Sequence, residues 1–584
     1  MNEQTKNIAE QVADRGREIF ADADQAAEAV VGINLQFVKK CYDANERGDG
    51  LLLASLLRAR YLYCTTPDKK GEWYVWDQHV WQPDEFDSCF NMVEAAAMAY
   101  EDYAKDIETQ RDAELAKLEE EREEKIAMIK ANNNDDDAKV KIERLLKKIL
   151  PVPAWMQPTI KNYRDRAWKL RSKNKMTTTL FMAPRVDSSI ASVSEELDQK
   201  PWLLPASNGV IDLQHGIVID GRPEDLLTKR IDCRYDPSAD YSFWQEIVDD
   251  ICIDPAMPST AELPKFLKRF FGWAITGNIN EEYLAIFIGP GRNGKGTILG
   301  AIADILGPYY HEANRSLFVE QKNEPPPSAT SEHMFALMGK RLVVGAETNK
   351  GQKIDGGLIK KLTGGNKINF RRNYGSEKIA TATHTLVLET NNIPYGLTKE
   401  FSLVQRLLLI ELSFRYVDDI DAEEAKYPAL KGKFKQKDNH LKAKLKKEAC
   451  REGILLWLVE GCLEWQAEGL QIPECIIQSR NDLQDKEDYL GAFLLEIMEH
   501  DPEQENLRMD FKNFYKAFEY FWKENIDDRG SGSSSMRPPH KNSISKMLRD
   551  RGYVVEKKGG RLWCHHFRIR PEIALEIEEL RVLS

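Results

Sequence analysis

The sequence predicts a multidomain α/β protein built around a parallel sheet. Three observations carry that prediction. The chain has 584 residues, more than one hydrophobic core organises. Its middle holds four short apolar runs, at 284–288, 341–346, 383–390 and 406–412, separated by segments long enough for helices. Strands that alternate with helices and are apolar on both faces belong in a parallel sheet covered on both sides. The first run, Leu284 to Ile288, passes into a glycine-rich turn and then an apolar helix-like stretch through Ile305.

That turn reads Gly289, Pro290, Gly291, Arg292, Asn293, Gly294, Lys295, Gly296, Thr297. A strand, a G-x-x-x-x-G-K loop and a helix start form the context of a phosphate-binding loop. Successive backbone N–H groups can cradle phosphate oxygens, and the helix adds its positive end. Lys295 is expected to reach the β- and γ-phosphates of ATP. Gly296 stands where Ser or Thr usually meets Mg²⁺, so Thr297 or a water is expected there. The plain alternative is a tight glycine turn without a ligand.

Hydrolysis of ATP needs an acid, a polar group near the γ-phosphate and positive charge on the transition state. The later runs offer each in order. Glu347 ends the second run and is a candidate Mg²⁺ ligand or base for the attacking water; Ala346 beside it leaves that division open. Asn391 ends the third run and is a candidate sensor of phosphate or water. Asn392 is its register alternative, and turn chemistry also accounts for Asn-Asn-Ile-Pro. Arg406 opens the fourth run, either as a finger reaching a neighbouring subunit's ATP or as a salt-bridging cap. Between Glu347 and Asn391 lie Lys360, Lys361, Lys367, Arg371 and Arg372 with no acid among them, plus glycines able to turn a hairpin and two aromatics. That composition suits phosphate contact with base stacking.

The flanks are read more coarsely. Residues 1 to about 60 look helical, with Gly48-Asp49-Gly50 as a break. Residues 60–82 read as short strands of a small β unit whose Tyr and Trp residues either stack nucleic acid or, the plainer reading, form core. Residues 100–150 read as a charged helical hairpin interrupted at 132–137, serving as a spacer or contact arm. Short strands follow over 201–245, then helices over 243–273 and 436–470. The last module carries helices near 511–522 and 544–548, then a hairpin turning at Lys558-Gly559-Gly560. Helices followed by a basic hairpin suggest a winged helix, with Lys557, Lys558 and Arg561 facing DNA. Gly530 to Ser535 reads as a loop within it.

Composition sets outer limits. A net charge of −12 argues against a uniformly basic nucleic-acid coat and leaves binding to local patches. No apolar run nears the ~20 residues of a membrane span, and no leader is expected at Met1. Nine cysteines without C-x-x-C spacing suit a reducing cytoplasm, so a cytoplasmic location is expected.

The ordered set of phosphate loop, Glu347, basic hairpin, Asn391 and Arg406 resembles the superfamily III DNA helicases, the AAA+ motors of small viruses, phages and plasmids. It is most similar to the helicase half of phage and plasmid primase-helicases, the branch that includes the poxvirus primase-helicase. The resemblance rests on 201–415 and extends loosely over 436–570. It implies a central AAA+ ATPase, a homohexameric ring moving 3′→5′ on single-stranded DNA, and a hairpin after Lys361 in the channel. The corresponding divisions are an accessory region at 1–200, a pre-helicase domain at 201–280, the motor at 281–415, a helical linker at 416–500 and the winged helix at 501–584. Many such proteins carry a primase domain in front. Residues 1–200 offer no Asp-x-Asp on a strand with a matching His, so primer synthesis is expected from a separate primase or polymerase. The alternative function is an ATP-regulated replication initiator that binds DNA without processive unwinding.

Overall fold

The protein is described from a computed structural model that covers residues 33–65, 71–148, 150–187, 190–320, 332–345, 353–365, 367–371, 377–391, 393–394, 397–398, 401–504, 506–525 and 538–576. Glu347, Arg372, Asn392 and the Gly530–Ser535 loop lie outside the described residues.

The N-terminal core gathers residues from Val38 to Ile190. Helix Asn45–Leu57 runs straight through Gly48-Asp49-Gly50, so the expected break is not one. A Cβ at Gly48 would stand 1.7 Å from the Cys41 carbonyl oxygen; glycine is there because two backbones touch, and that gain outweighs its poor helix propensity. Asp49 is buried, accepting from Tyr100 Oη at 2.9 Å and Arg166 Nε at 3.0 Å. The charged hairpin comprises Met92–Asn132 and Asp135–Leu146. Its break is confined to Asn133 and Asn134, and Asp135, Asp136 and Asp137 occupy the first turn of the second helix, where the helix dipole favours acids. Strands Tyr61–Thr65, Gly71–Asp77 and Val80–Pro83 pair antiparallel, and Ala191–Val193 adds a parallel edge.

The central sheet is made of β1 (Leu284–Ile288), β2 (Tyr310–Ala313), β3 (Leu342–Gly345), β4 (Thr385–Thr390) and β5 (Leu407–Glu411), in the order β5-β1-β4-β3-β2. All four pairings are parallel. Alternate side chains serve different cores. Ala285, Phe287, Val387, Leu408 and Ile410 join the cluster of Ile298, Ile302 and Trp457. Leu284, Ile286, Leu386, Leu407 and Leu409 join that of Phe318, Ile359 and Leu362. The helix α1 (Lys295–Leu306) lies on the first face. The first cluster spans Leu204 to Ile476, so the divisions expected at 280 and 415 cut through one continuous core. Edge strand β2 was not expected: Tyr-His-Glu-Ala carries no apolar run.

After helix Gly356–Thr363, strands Lys367–Arg371 and Glu377–Thr381 pair antiparallel. Gly364 caps the helix rather than turning the hairpin, so Lys360 and Lys361 sit on the last helical turn and not on the hairpin. The C-terminal core runs from Leu490 to Ala574. Helices Phe511–Asn525 and Lys541–Asp550 precede strands Val555–Lys558 and Arg561–His565, and Arg508–Asp510 completes a three-stranded antiparallel sheet. Gly559 and Gly560 have φ of 59° and 80°, as a two-residue hairpin turn of type I′ requires. Among the described residues no helix is long and apolar enough to cross a membrane.

Candidate functional site

The C-terminal ends of β1 and β4 converge on the glycine-rich loop. Thr390 is in register with Ile288, so Asn391 arrives beside Gly289 by strand pairing alone. Gly289 has φ 156°, and a Cβ there would lie 1.9 Å from Asn293 Nδ2. Gly294 has φ 90° and Arg292 φ 62°, the latter an uncommon conformation for a residue with a side chain. Two contacts hold the loop from the far side of β5: Asn293 Nδ2 donates to the Leu412 carbonyl at 3.3 Å, and Tyr416 N donates to the Arg292 carbonyl at 2.8 Å.

Lys295 opens α1 and is only 3% exposed. Its Nζ donates to the Gly289 carbonyl at 2.9 Å, to Asn293 Oδ1 at 3.1 Å and to Asn391 Oδ1 at 3.0 Å. Asn391 Oδ1 also accepts from Gly291 N at 3.2 Å. One amide oxygen therefore ties the lysine to a loop N–H. An ammonium and an inward N–H that share an oxygen acceptor are the groups that a phosphate oxygen would engage.

Gly296 is the next residue of α1. A Cβ built on it meets Glu389 Oε1 at 3.9 Å. Glu389 lies two residues before Asn391 and so on the same face of β4. Sequence reading passed over it; the signal was the two-residue spacing, which puts a carboxylate and an amide side by side at one strand end. Among the described residues no group of three His, Cys, Asp or Glu side chains is placed to hold a metal. Mg²⁺ bound with a nucleotide needs no such cage, since one or two carboxylates, phosphate oxygens and water complete its shell. A carboxylate oxygen beside the loop fits that donor set. Thr297 is half-buried on α1. Strand β3 ends at Gly345, just short of Glu347.

Arg406 is not part of this cluster. Leu407 pairs with Leu284, which puts Arg406 at the opposite end of the sheet, about one strand length (~15 Å) away. Its guanidinium contacts Glu282 at 2.6 Å and Thr363 Oγ1 at 3.0 Å. Lys361 is exposed, while Lys367 and Arg371 lie on the first hairpin strand. Lys557, Lys558 and Arg561 are exposed at the C-terminal hairpin, with Lys558 directly opposite Arg561.

Comparison with known proteins bears on this arrangement. Residues 287–406 match a family of unknown function, DUF5906, a segment that begins inside β1 and ends at Arg406. Residues 52–253 match the model described as D5 N terminal like. The model matched over 52–253 describes the N-terminal domain of the phage and viral primase-helicase family, so that part of the chain is similar to that family. A helicase-named protein of Acanthamoeba polyphaga mimivirus is 22% identical over 307 residues, which is 52% of this chain and 31% of that protein. A helicase-named protein of Sputnik virophage is 23% identical over 35% of this chain and 26% of its own length. A primase-named protein of African swine fever virus is 23% identical over 40% of this chain and 25% of its own length. The matched part therefore spans only a quarter to a third of these curated relatives. The solved NrS-1 C-terminal region is 12% identical, covering 64% of this chain and 85% of its own, with a TM-score of 0.36.

The relatives carry helicase and primase names. The N-terminal match starts at residue 52 and crosses the division expected at 200. The contacts explain why. Trp81 N donates to the Leu227 carbonyl at 2.7 Å and Trp81 Nε1 to the Pro223 carbonyl at 2.9 Å. Val80, Val210 and Leu227 share a small core, and Arg230 pairs with Asp77 at 3.1 Å.

Proposed function

We propose that the chain is an ATP-dependent replicative DNA helicase of a phage, plasmid or other mobile element, moving on single-stranded DNA as a hexameric ring. The observation that carries this is the Lys295–Asn391–Gly291 contact, in which the phosphate loop and the neighbouring strand end share one acceptor. Lys295 and the loop N–H groups bind the β- and γ-phosphates, and Asn391 senses the γ-phosphate or positions the attacking water. Mg²⁺ supplies charge neutralisation on the phosphates when it is bound with the nucleotide, with Thr297, Glu347 and Glu389 as the side chains available to hold it. The strand order, with β4 between β1 and β3, supports an AAA+ core because it carries a polar sensor to the loop.

Arg406 lies too far from its own loop to serve it. It is proposed as a finger to the neighbouring subunit, which requires the ring. The strand pair after Lys361 supplies DNA contacts in the channel through Lys367, Arg371 and Arg372, with Lys360 and Lys361 at its base.

A second reading, an ATP-regulated replication initiator, is favoured by one feature. Lys558 and Arg561 face each other across the last hairpin. Like charges directly opposite destabilise a strand pair; Asp510 at 3.9 Å from the Arg561 guanidinium offsets part of that cost, and a DNA phosphate beside Lys558 would offset the rest. The C-terminal module is accordingly proposed as a DNA-binding winged helix. Strand displacement on a forked duplex separates the readings. A helicase displaces the strand with ATP and loses this in Lys295→Ala; an initiator binds origin DNA and hydrolyses ATP without displacement.

A further inference from the structure

We infer that Glu389 replaces the hydroxyl missing at Gly296 and is the side chain of β4 that holds the divalent cation of a bound nucleotide. The inference rests on the nucleotide reading of the loop and adds to it a residue that the motif pattern does not contain.

The geometry is local. Gly296 is exposed in the first turn of α1, where a Ser or Thr would extend a hydroxyl past the end of the sheet. The ideal Cβ at 296 has Glu389 Oε1 at 3.9 Å, the nearest non-local heavy atom among the described residues. The carboxylate thus reaches the region that the side chain of a Ser at 296 would enter. Thr297 follows by one residue, and an α-helix turns about 100° per residue, so its hydroxyl projects in another direction. Val387, Glu389 and Asn391 share one face of β4, and Val387 packs into the same core as α1. The two polar residues of that face divide the work. The amide meets Lys295 and Gly291 N, and the carboxylate meets the glycine.

The exchange of a hydroxyl for a carboxylate has a consequence. A hydroxyl is neutral and tolerates phosphate with or without a cation. A carboxylate beside the phosphate loop repels phosphate at short range unless a cation lies between them. Glu389 therefore makes nucleotide binding conditional on the divalent ion. Because 3.9 Å is an ordinary contact distance, a Cβ fits at 296 without displacing Glu389, and a serine hydroxyl there can hydrogen-bond the carboxylate or stand in for it.

The test is binding of a fluorescent ATP analogue to the full chain in Mg²⁺ and in EDTA, read apart from hydrolysis. The wild type is expected to bind at least about ten-fold more weakly in EDTA. Glu389→Gln should narrow the gap from both sides, with weaker binding in Mg²⁺ and stronger binding in EDTA. Adding Gly296→Ser to Glu389→Gln should restore affinity in Mg²⁺ without restoring the penalty in EDTA. Glu389→Asp, which keeps the charge but shortens its reach, should fall between and serves if the glutamine variant does not fold. A Glu389→Gln protein that binds like wild type under both conditions, while Thr297→Ala loses the Mg²⁺ dependence, overturns the inference and leaves the nucleotide site standing. A wild type that binds no nucleotide under either condition overturns both.

Discussion

The two ends of the central sheet use the same strands and similar polar residues to opposite effect. At the C-terminal ends, Lys295, Asn391 and Glu389 converge on a loop whose backbone is bent at Gly289, Arg292 and Gly294. At the N-terminal ends the polar groups are locked into the fold. Arg341, before β3, is buried, donates to the Ile275 and Leu203 carbonyls and stacks on Tyr309 at 4.5 Å. His384, before β4, is buried with neither ring nitrogen hydrogen-bonded among the described residues. Arg406, before β5, is held by Glu282 and Thr363. An arginine at the mouth of a buried strand is thus no sign of catalysis by itself, since Arg341 occupies such a place as a structural residue.

The largest expected effect is at the C-terminal end. Lys295→Ala should lower ATP hydrolysis by at least about 10²–10³-fold, the scale for removing one preorganised charge-stabilising donor, in a protein that still folds but melts at a lower temperature because three acceptors lose their donor. Steady-state phosphate release and a thermal melt check this together.

Arg406 sharpens the comparison. If it is a finger, Arg406→Ala should abolish hydrolysis in the assembled state, while Glu282→Ala, which removes the ion pair and leaves the Thr363 contact, should retain most of it. Equal losses in the two variants would make the pair purely structural. Hydrolysis measured across a protein concentration series, alongside light scattering, distinguishes these outcomes.

His384 tests the N-terminal end by pH. Burial pushes its pKa from 6.5 down to about 4. The unfolded chain therefore takes up a proton near pH 6.5 while the folded one does not, so stability is full above that value and falls as the pH drops toward 4. From pH 7 to pH 5 the loss from this group is about 2 kcal/mol. His384→Leu should remove that part of the acid sensitivity, read as a smaller difference in melting temperature between the two pH values, and should leave hydrolysis at pH 7 intact.

The smallest effect is expected at the last hairpin. Replacing both Lys558 and Arg561 by Ala should leave hydrolysis unchanged and reduce the salt dependence of duplex DNA binding by about two phosphate contacts. Fluorescence anisotropy over a salt series reads this directly.

What the sequence revealed follows the same division. Strands β1, β3, β4 and β5 were legible because burial on both faces forces continuous apolar runs. Strand β2 was not, because an edge strand does not need one and reads Tyr-His-Glu-Ala. The glycine-rich loop was legible because its residues are contiguous, and the place of Asn391 beside it because Asn391 ends an apolar run. Glu389 was hidden because its meaning depends on Gly296, far earlier in the chain, and appears only when β4 is set beside β1. Gly48 and Gly50 misled because local propensity and close packing give opposite readings of a glycine. The division at 200 misled because Trp81 docks on Leu227 and Pro223 across it.

The most direct test of the claim that one end of the sheet does the chemistry is ATP hydrolysis, with and without single-stranded DNA, for wild type, Lys295→Ala and His384→Leu side by side. The account predicts DNA-stimulated hydrolysis in the wild type and in His384→Leu, and neither basal nor stimulated hydrolysis in a folded Lys295→Ala. Hydrolysis that survives Lys295→Ala at the wild-type rate would contradict it.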